Sequence, residues 1–136
     1  MKSGAEYLFV YGTLMQGYEN PFAQNLQEMS VFEGNGSFPG ILYAVSWYPG
    51  AVYFEGSKTP VYGEVYQMLN VPELLRQLDE YEDVFEDESI SLYLRRVVPV
   101  SFGNGETIDC WAYLYNQPVD GFQEIEGGSF RNFKGF

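Results

Sequence analysis

The chain has 136 residues, 46% hydrophobic and 18% aromatic, with a formal net charge of −12. That length suits one domain spanning residues 1–136, and that charge repels polyphosphate backbones and anionic lipid surfaces, arguing against nucleic-acid or membrane partners. With no histidine and one cysteine, Cys110, the sequence excludes a Ser-His-Asp triad, a Cys-His pair, histidine metal ligation and an intrachain disulfide.

Proton transfer must therefore fall to a carboxylate, a lysine, a tyrosine or the cysteine. The acidity suits either a cationic substrate or simply a solubilising surface. Residues 1–6 lack a basic stretch followed by an apolar run, so no signal peptide is expected. No apolar stretch approaches the roughly 20 residues that cross a bilayer. A single cysteine is compatible with a reducing compartment, and the expected location is cytoplasmic.

In chain order, residues 7–11 read as an opening strand of aromatic and β-branched residues, stopped by Gly12. Asn20 followed by Pro21 suits a helix start, and Phe22, Leu26 and Met29 give it an apolar face. Residues 34–40 are glycine-rich and expected to be irregular, with a short strand at 41–45. Tyr48-Pro49-Gly50 signals a turn before an aromatic run at 51–54, and residues 61–69 read as a strand. The clearest helix is expected over 70–84, with Asn70 and Glu73 spaced as a capping box. Residues 92–102 and 107–115 read as a hairpin around Gly103-Asn104-Gly105. Apolar or aromatic residues on both faces of the 107–115 strand suit a barrel wall. The tail, 117–136, lacks a clear period and either wraps the domain or is loosely ordered. The expected class is α+β, with a barrel-like, mostly antiparallel mixed sheet and two or more helices.

On a wheel at about 100° per residue, Leu74, Leu75, Leu78, Tyr81 and Phe85 share one arc. Glu73, Arg76, Asp79, Glu80 and Asp83 fall outside it, as solvated residues should, but Glu82 lies between Leu75 and Leu78. A buried carboxylate without partners is costly and shifts its proton affinity instead. Three readings stand. Glu82 is a functional acid, it is paired with Arg95 or Arg96 on the next strand, or the helix ends early and leaves it exposed.

The turn Tyr11-Gly12-Thr13-Leu14 follows a strand and precedes a helix. A glycine there permits close approach to a ligand, with N–H groups available to an anion, although such a turn also occurs as an ordinary strand ending. Gly12 and Gly17 have phosphate-loop spacing, but no Lys-Ser/Thr pair follows.

Taken together, these segments resemble the γ-glutamyl cyclotransferase superfamily, which includes plant avirulence-induced and bacterial relatives and the γ-glutamylamine cyclotransferases. Tyr11-Gly12-Thr13-Leu14 matches its opening Y-G-[ST]-L, and Pro39-Gly40-Ile41-Leu42-Tyr43 and Tyr48-Pro49-Gly50-Ala51 match its next two loops. Val61-Tyr62-Gly63-Glu64-Val65-Tyr66, Leu78-Asp79-Glu80-Tyr81-Glu82 and the segments 93–100 and 111–115 follow in the family's order. The resemblance covers residues 7–116.

It implies intramolecular aminolysis. The substrate's α-amine attacks its own γ-amide, 5-oxoproline leaves, and an amine or amino acid is freed. The matching glutamate, Glu82, is then the general acid and base, at a proton affinity raised by burial. The Tyr11-Gly12-Thr13-Leu14 turn is the substrate cradle, with its N–H groups on the α-carboxylate or oxyanion. Tyr93 either orients the γ-glutamyl part through its hydroxyl or faces outward. Arg95 is expected to pair structurally with a carboxylate, and Cys110 to be a core residue. Such a reaction needs no metal and no cofactor, and its partner is a small γ-glutamyl substrate. The alternative is a binding module that holds such a metabolite without turning it over. Two departures from the family are visible. Residues 83–92 are long and acidic and expected to reshape the pocket mouth, and Ser129 and Phe130 stand where the family ending has Asp and Trp, leaving any substrate role of the tail in doubt.

Overall fold

The computed structural model describes residues 6–133; residues 1–5, within the stretch read for a leader, and 134–136, the end of the tail, lie outside the described residues. Strand β1 (Tyr7–Val10) is buried along its whole length. It pairs antiparallel with β4 (Pro60–Met68) and parallel with β6 (Thr107–Tyr115). A short, uniformly apolar strand fits that central position, since both its faces meet protein. The 15-residue strand β2 (Ser30–Ala44) runs antiparallel along β4, and β5 (Tyr93–Phe102) runs antiparallel along β6. β2 then meets β5 at Gly36 and Ser37, closing the circuit β2–β4–β1–β6–β5 into a mixed barrel. β3 (Pro49–Tyr53) and β7 (Gln123–Glu124) extend the distal part of β2. This is the α+β, mostly antiparallel barrel read from the sequence.

The glycine-rich stretch 34–40 is not irregular: it lies inside β2. Gly34, at φ +143°, takes up a bulge where the register with β4 shifts after Phe32. Gly36 permits the closing contact with β5, because a Cβ there would stand 2.7 Å from the Val100 side chain. These glycines bend a strand around a barrel corner instead of interrupting it.

Helix α1 (Pro21–Met29) begins as expected. Asn20 Oδ1 accepts from the Ala23 N–H at 2.8 Å, and Pro21 occupies the first turn. Ala23 and Leu26 are its buried face. Helix α2 (Val71–Tyr81) is shorter than the expected 70–84, and its capping box does not form. The Asn70 side chain makes no cap bond, and Glu73 is drawn to Arg76, one turn on, at 2.8 Å. The two helices pack on each other, and α1 also contacts β2.

The barrel core is built around Phe9, Phe38, Leu42, Tyr66 and Val100, all nearly inaccessible. Each such burial contributes about 1.5–3 kcal/mol of transfer free energy. The 103–105 loop joins β5 to β6 as expected, with Gly105 at φ +89°. The tail wraps the domain. Ile125 N–H donates to Leu42 O at 2.7 Å, Ile125 and Phe130 are buried, and Arg131 reaches Glu64 at 3.2 Å. Among the described residues no helix is long and apolar enough to cross a membrane.

Candidate active site

A cavity of about 180 Å³ opens where β1 gives way to its turn and α2 comes to its end. Tyr11, Gly12, Thr13, Leu14, Glu82 and Tyr93 all line it, so residues up to 82 positions apart in sequence share one pocket.

Glu82 reaches the pocket through the way α2 stops. Its N–H still donates to Leu78 O at 2.9 Å, so the helical register persists one residue past Tyr81. Asp83 then enters the left-handed region at φ +54°. Asp83 N–H returns to Glu80 O at 3.3 Å, and Val84 N–H to Asp79 O at 2.9 Å. That pair of bonds is a Schellman motif, with aspartate in the place glycine usually takes. The helix therefore does end early, but Glu82 is not left in bulk solvent. It keeps the face of Leu78 and is partly buried in the pocket wall.

Nor is Glu82 paired with an arginine. Arg95 grips Asp79 with both Nε at 2.8 Å and a terminal nitrogen at 3.0 Å, and Arg96 reaches Glu88 at 2.8 Å. Asp79, expected on the solvated face, is instead held between Arg95 and the Tyr113 hydroxyl, which donates to it at 2.7 Å. The helix end is thereby tied to β5 and β6, and Arg95 is the structural partner it was expected to be. Among the described residues the Glu82 carboxyl has no hydrogen bond and no ion pair. Burial, and secondarily the negative charge of Asp83, pushes its pKa up to about 8.

The turn is rigidly framed. Tyr11 donates its hydroxyl to the Tyr113 carbonyl and accepts from Ala51 N–H at 3.1 Å. Tyr93 donates its hydroxyl to the Pro49 carbonyl and is buried, which overturns the outward-facing reading. Burial drives both phenols far above the ordinary range, so both stay neutral. Thr13 Oγ1 and the Tyr81 hydroxyl share a hydrogen bond of 2.7 Å, and Asn20 Nδ2 holds Thr13 O at 2.9 Å. Met15 N–H closes the turn on Gly12 O at 3.1 Å. The N–H groups of Gly12, Thr13 and Leu14 meet no acceptor among the described residues. Gly12 must be glycine for a packing reason, since a Cβ would stand 2.9 Å from Pro49 Cγ.

The sequence reading did not single out Tyr48, Tyr81 or Tyr113 as members of the pocket wall, whereas Asp83 and Leu92, which line it, belong to the 83–92 stretch expected at the pocket mouth. Of those three tyrosines only Tyr81 carried a local signal, its adjacency to Glu82. Ser129 and Phe130 do not line this pocket, and Phe130 is a core residue stacked on Tyr18. Cys110 is buried elsewhere, its thiol pushed up to about 12 by burial. No cluster of metal-ligating side chains occurs among the described residues.

The fold and the sequence both have known counterparts. The chain belongs to the γ-glutamyl cyclotransferase, AIG2-like family, whose model matches residues 8–132. It is 32% identical over 127 residues to the γ-glutamylcyclotransferase family protein YtfP of Escherichia coli K12, covering 90% of this chain and 94% of that protein. An AIG2-like protein from mouse superimposes with a TM-score of 0.72 at 25% identity, over 90% of this chain and 86% of the other. YkqA of Bacillus subtilis superimposes with a TM-score of 0.68 at 26% identity over 91% of this chain, which spans only 39% of YkqA.

Proposed function

We propose that the chain is a cyclotransferase that releases 5-oxoproline from a γ-glutamyl amine or γ-glutamyl amino acid, with Glu82 moving the protons. The observation that carries this reading is the Glu82 carboxyl, partly buried and without a hydrogen bond or ion pair among the described residues, in a pocket that also holds the Gly12–Leu14 turn.

The substrate's α-ammonium loses a proton to the Glu82 carboxylate. The freed amine attacks the γ-carbonyl carbon, and a C–N bond forms as the carbonyl electrons move to oxygen. The unengaged N–H groups of Gly12, Thr13 and Leu14 are suited to hold that oxyanion or the α-carboxylate. As the carbonyl reforms, the original amide C–N bond breaks, Glu82 returns its proton to the departing nitrogen, and the ring nitrogen gives up its second proton through the same carboxyl, so that the products are the neutral lactam and an ammonium. One group serves as base and then acid because its proton affinity lies near neutrality. Most Glu82 is protonated in the empty pocket at pH 7, and the incoming ammonium favours the ionised form. The nucleophile is tethered to the electrophile, so the protein's task is to fold the substrate and exclude water. Tyr11 and Tyr93 serve as walls, since the hydroxyl proton of each is already committed to a backbone carbonyl.

The test is a screen of γ-glutamyl amines, γ-glutamyl amino acids and glutathione for 5-oxoproline, beside Glu82→Gln. Turnover by the wild type and its loss in the variant support the reading. Binding of these compounds without 5-oxoproline release points to the non-catalytic binding module.

A further inference from the structure

The pocket has a buried floor of tyrosines and apolar side chains and an exposed mouth. Trp47, at 65% exposure, and Asp83 stand at that mouth, with Tyr48 between floor and solvent. Among the described residues no lysine or arginine lines it. Each of the chain's four arginines is engaged by another carboxylate: Arg76 by Glu73, Arg95 by Asp79, Arg96 by Glu88 and Arg131 by Glu64. Asp83 has no ion pair and no side-chain hydrogen bond among the described residues. It is exposed and belongs to the pocket lining, beside Tyr48 and Glu82. Trp47 meets Tyr48 edge to face at 5.1 Å and remains largely open to solvent.

In the cyclotransferase reading, on which this inference rests, the glutamyl part folds toward the closed floor and the turn. The departing amine leaves past Glu82 toward the open side, where Asp83 is the next residue. We propose that Asp83, together with the Trp47 ring, selects leaving amines that carry a second positive charge, as in γ-glutamyl conjugates of diamines or polyamines, over amines that carry a carboxylate. A second ammonium finds an unpaired carboxylate and an indole face there. A carboxylate on the leaving part finds Asp83, with no cation among the described lining residues to offset the repulsion.

The experiment compares kcat/KM for three γ-glutamyl conjugates of matched length, those of 1,4-diaminobutane, butylamine and 4-aminobutyrate. Wild type, Asp83→Asn and Trp47→Ala are measured at low and high salt. Asparagine tolerates the left-handed backbone, so the Asp83→Asn chain keeps its turn. For wild type at low salt the cationic conjugate is expected to exceed the neutral one by about tenfold, and the neutral to exceed the anionic by a similar factor, as one partly screened charge pair supplies. Asp83→Asn narrows each gap to about threefold or less, high salt narrows the wild-type gaps, and Trp47→Ala weakens the cationic conjugate most. Equal turnover of the three by wild type, or an equal loss for all three in Asp83→Asn, overturns the inference and leaves the cyclotransferase reading standing. Absence of 5-oxoproline from every conjugate overturns both.

Discussion

Replacing Glu82 by glutamine should stabilise the protein at high pH and leave it almost unchanged at low pH. In the folded chain this carboxyl has a pKa of about 8, against an ordinary 4.5, chiefly because burial disfavours its charged form. Below pH 4.5 both the folded and the unfolded chain hold the proton, and glutamine is a close neutral substitute. As pH rises from 4.5 toward 8, the unfolded chain ionises while the folded chain keeps its proton, so the wild type loses stability. Above 8 the loss is complete. At about 1.36 kcal/mol per tenfold change in proton affinity, the upper limit is about 5 kcal/mol. Pocket water reaches part of the side chain, so about 2–3 kcal/mol is the expected gain of the variant over wild type at pH 9. Urea unfolding of both proteins at pH 4.5, 7 and 9 measures it, since the other titrating groups are common to the two and cancel in the difference. A gap that does not change with pH would refute the burial argument. A variant less stable than wild type at pH 7 and 9 would show that Glu82 is held by a cation, the arrangement that the Arg95–Asp79 pair argues against.

The same variant should lower 5-oxoproline release by at least about 10²-fold, the usual scale for loss of a general acid or base, read by chromatography of the product. Asp79→Asn breaks a bidentate ion pair whose members are each about a quarter exposed, and takes an acceptor from Tyr113. It should cost about 1–3 kcal/mol in urea unfolding at pH 7. Gly12→Ala forces a methyl against the Pro49 ring and shifts the turn relative to the 47–49 wall. A loss of kcat/KM of about tenfold or more is expected, with circular dichroism confirming an intact barrel. Asp83→Gly relieves a left-handed aspartate and should raise stability by about 0.5–1 kcal/mol, visible as a higher Tm. Removing that negative charge also lowers the Glu82 pKa, so the acid limb of the kcat/KM profile moves to lower pH.

Strands were legible where local pattern and final environment agree. The Thr107–Tyr115 strand was read with its observed ends, because a run apolar on both faces belongs in a barrel wall. The glycines of β2 misled because local propensity treats glycine as a breaker. In a barrel it is what lets a long strand bend and approach its neighbour, and the neighbour of Gly36 is Val100, 64 positions away in sequence. The pocket was half legible for a related reason. Glu82 and the Gly12 turn are local motifs, but the framework that holds them is not. Tyr11 is tied to Tyr113 across 102 residues, and Tyr93 to Pro49 across 44.

The wheel reached Glu82 from a helix drawn too long, and the cause lies in the helix end. Nothing marks the stop, because aspartate occupies the position where glycine would have announced it. A Schellman ending nevertheless carries helical geometry through its capping residue, so Glu82 still bonds back to Leu78 and keeps its face. An error of a few residues in the boundary therefore left the direction of the side chain intact. Had the turn begun one residue sooner, Glu82 itself would have taken the left-handed position, and its carboxyl would have lost the Leu78 face that directs it into the pocket.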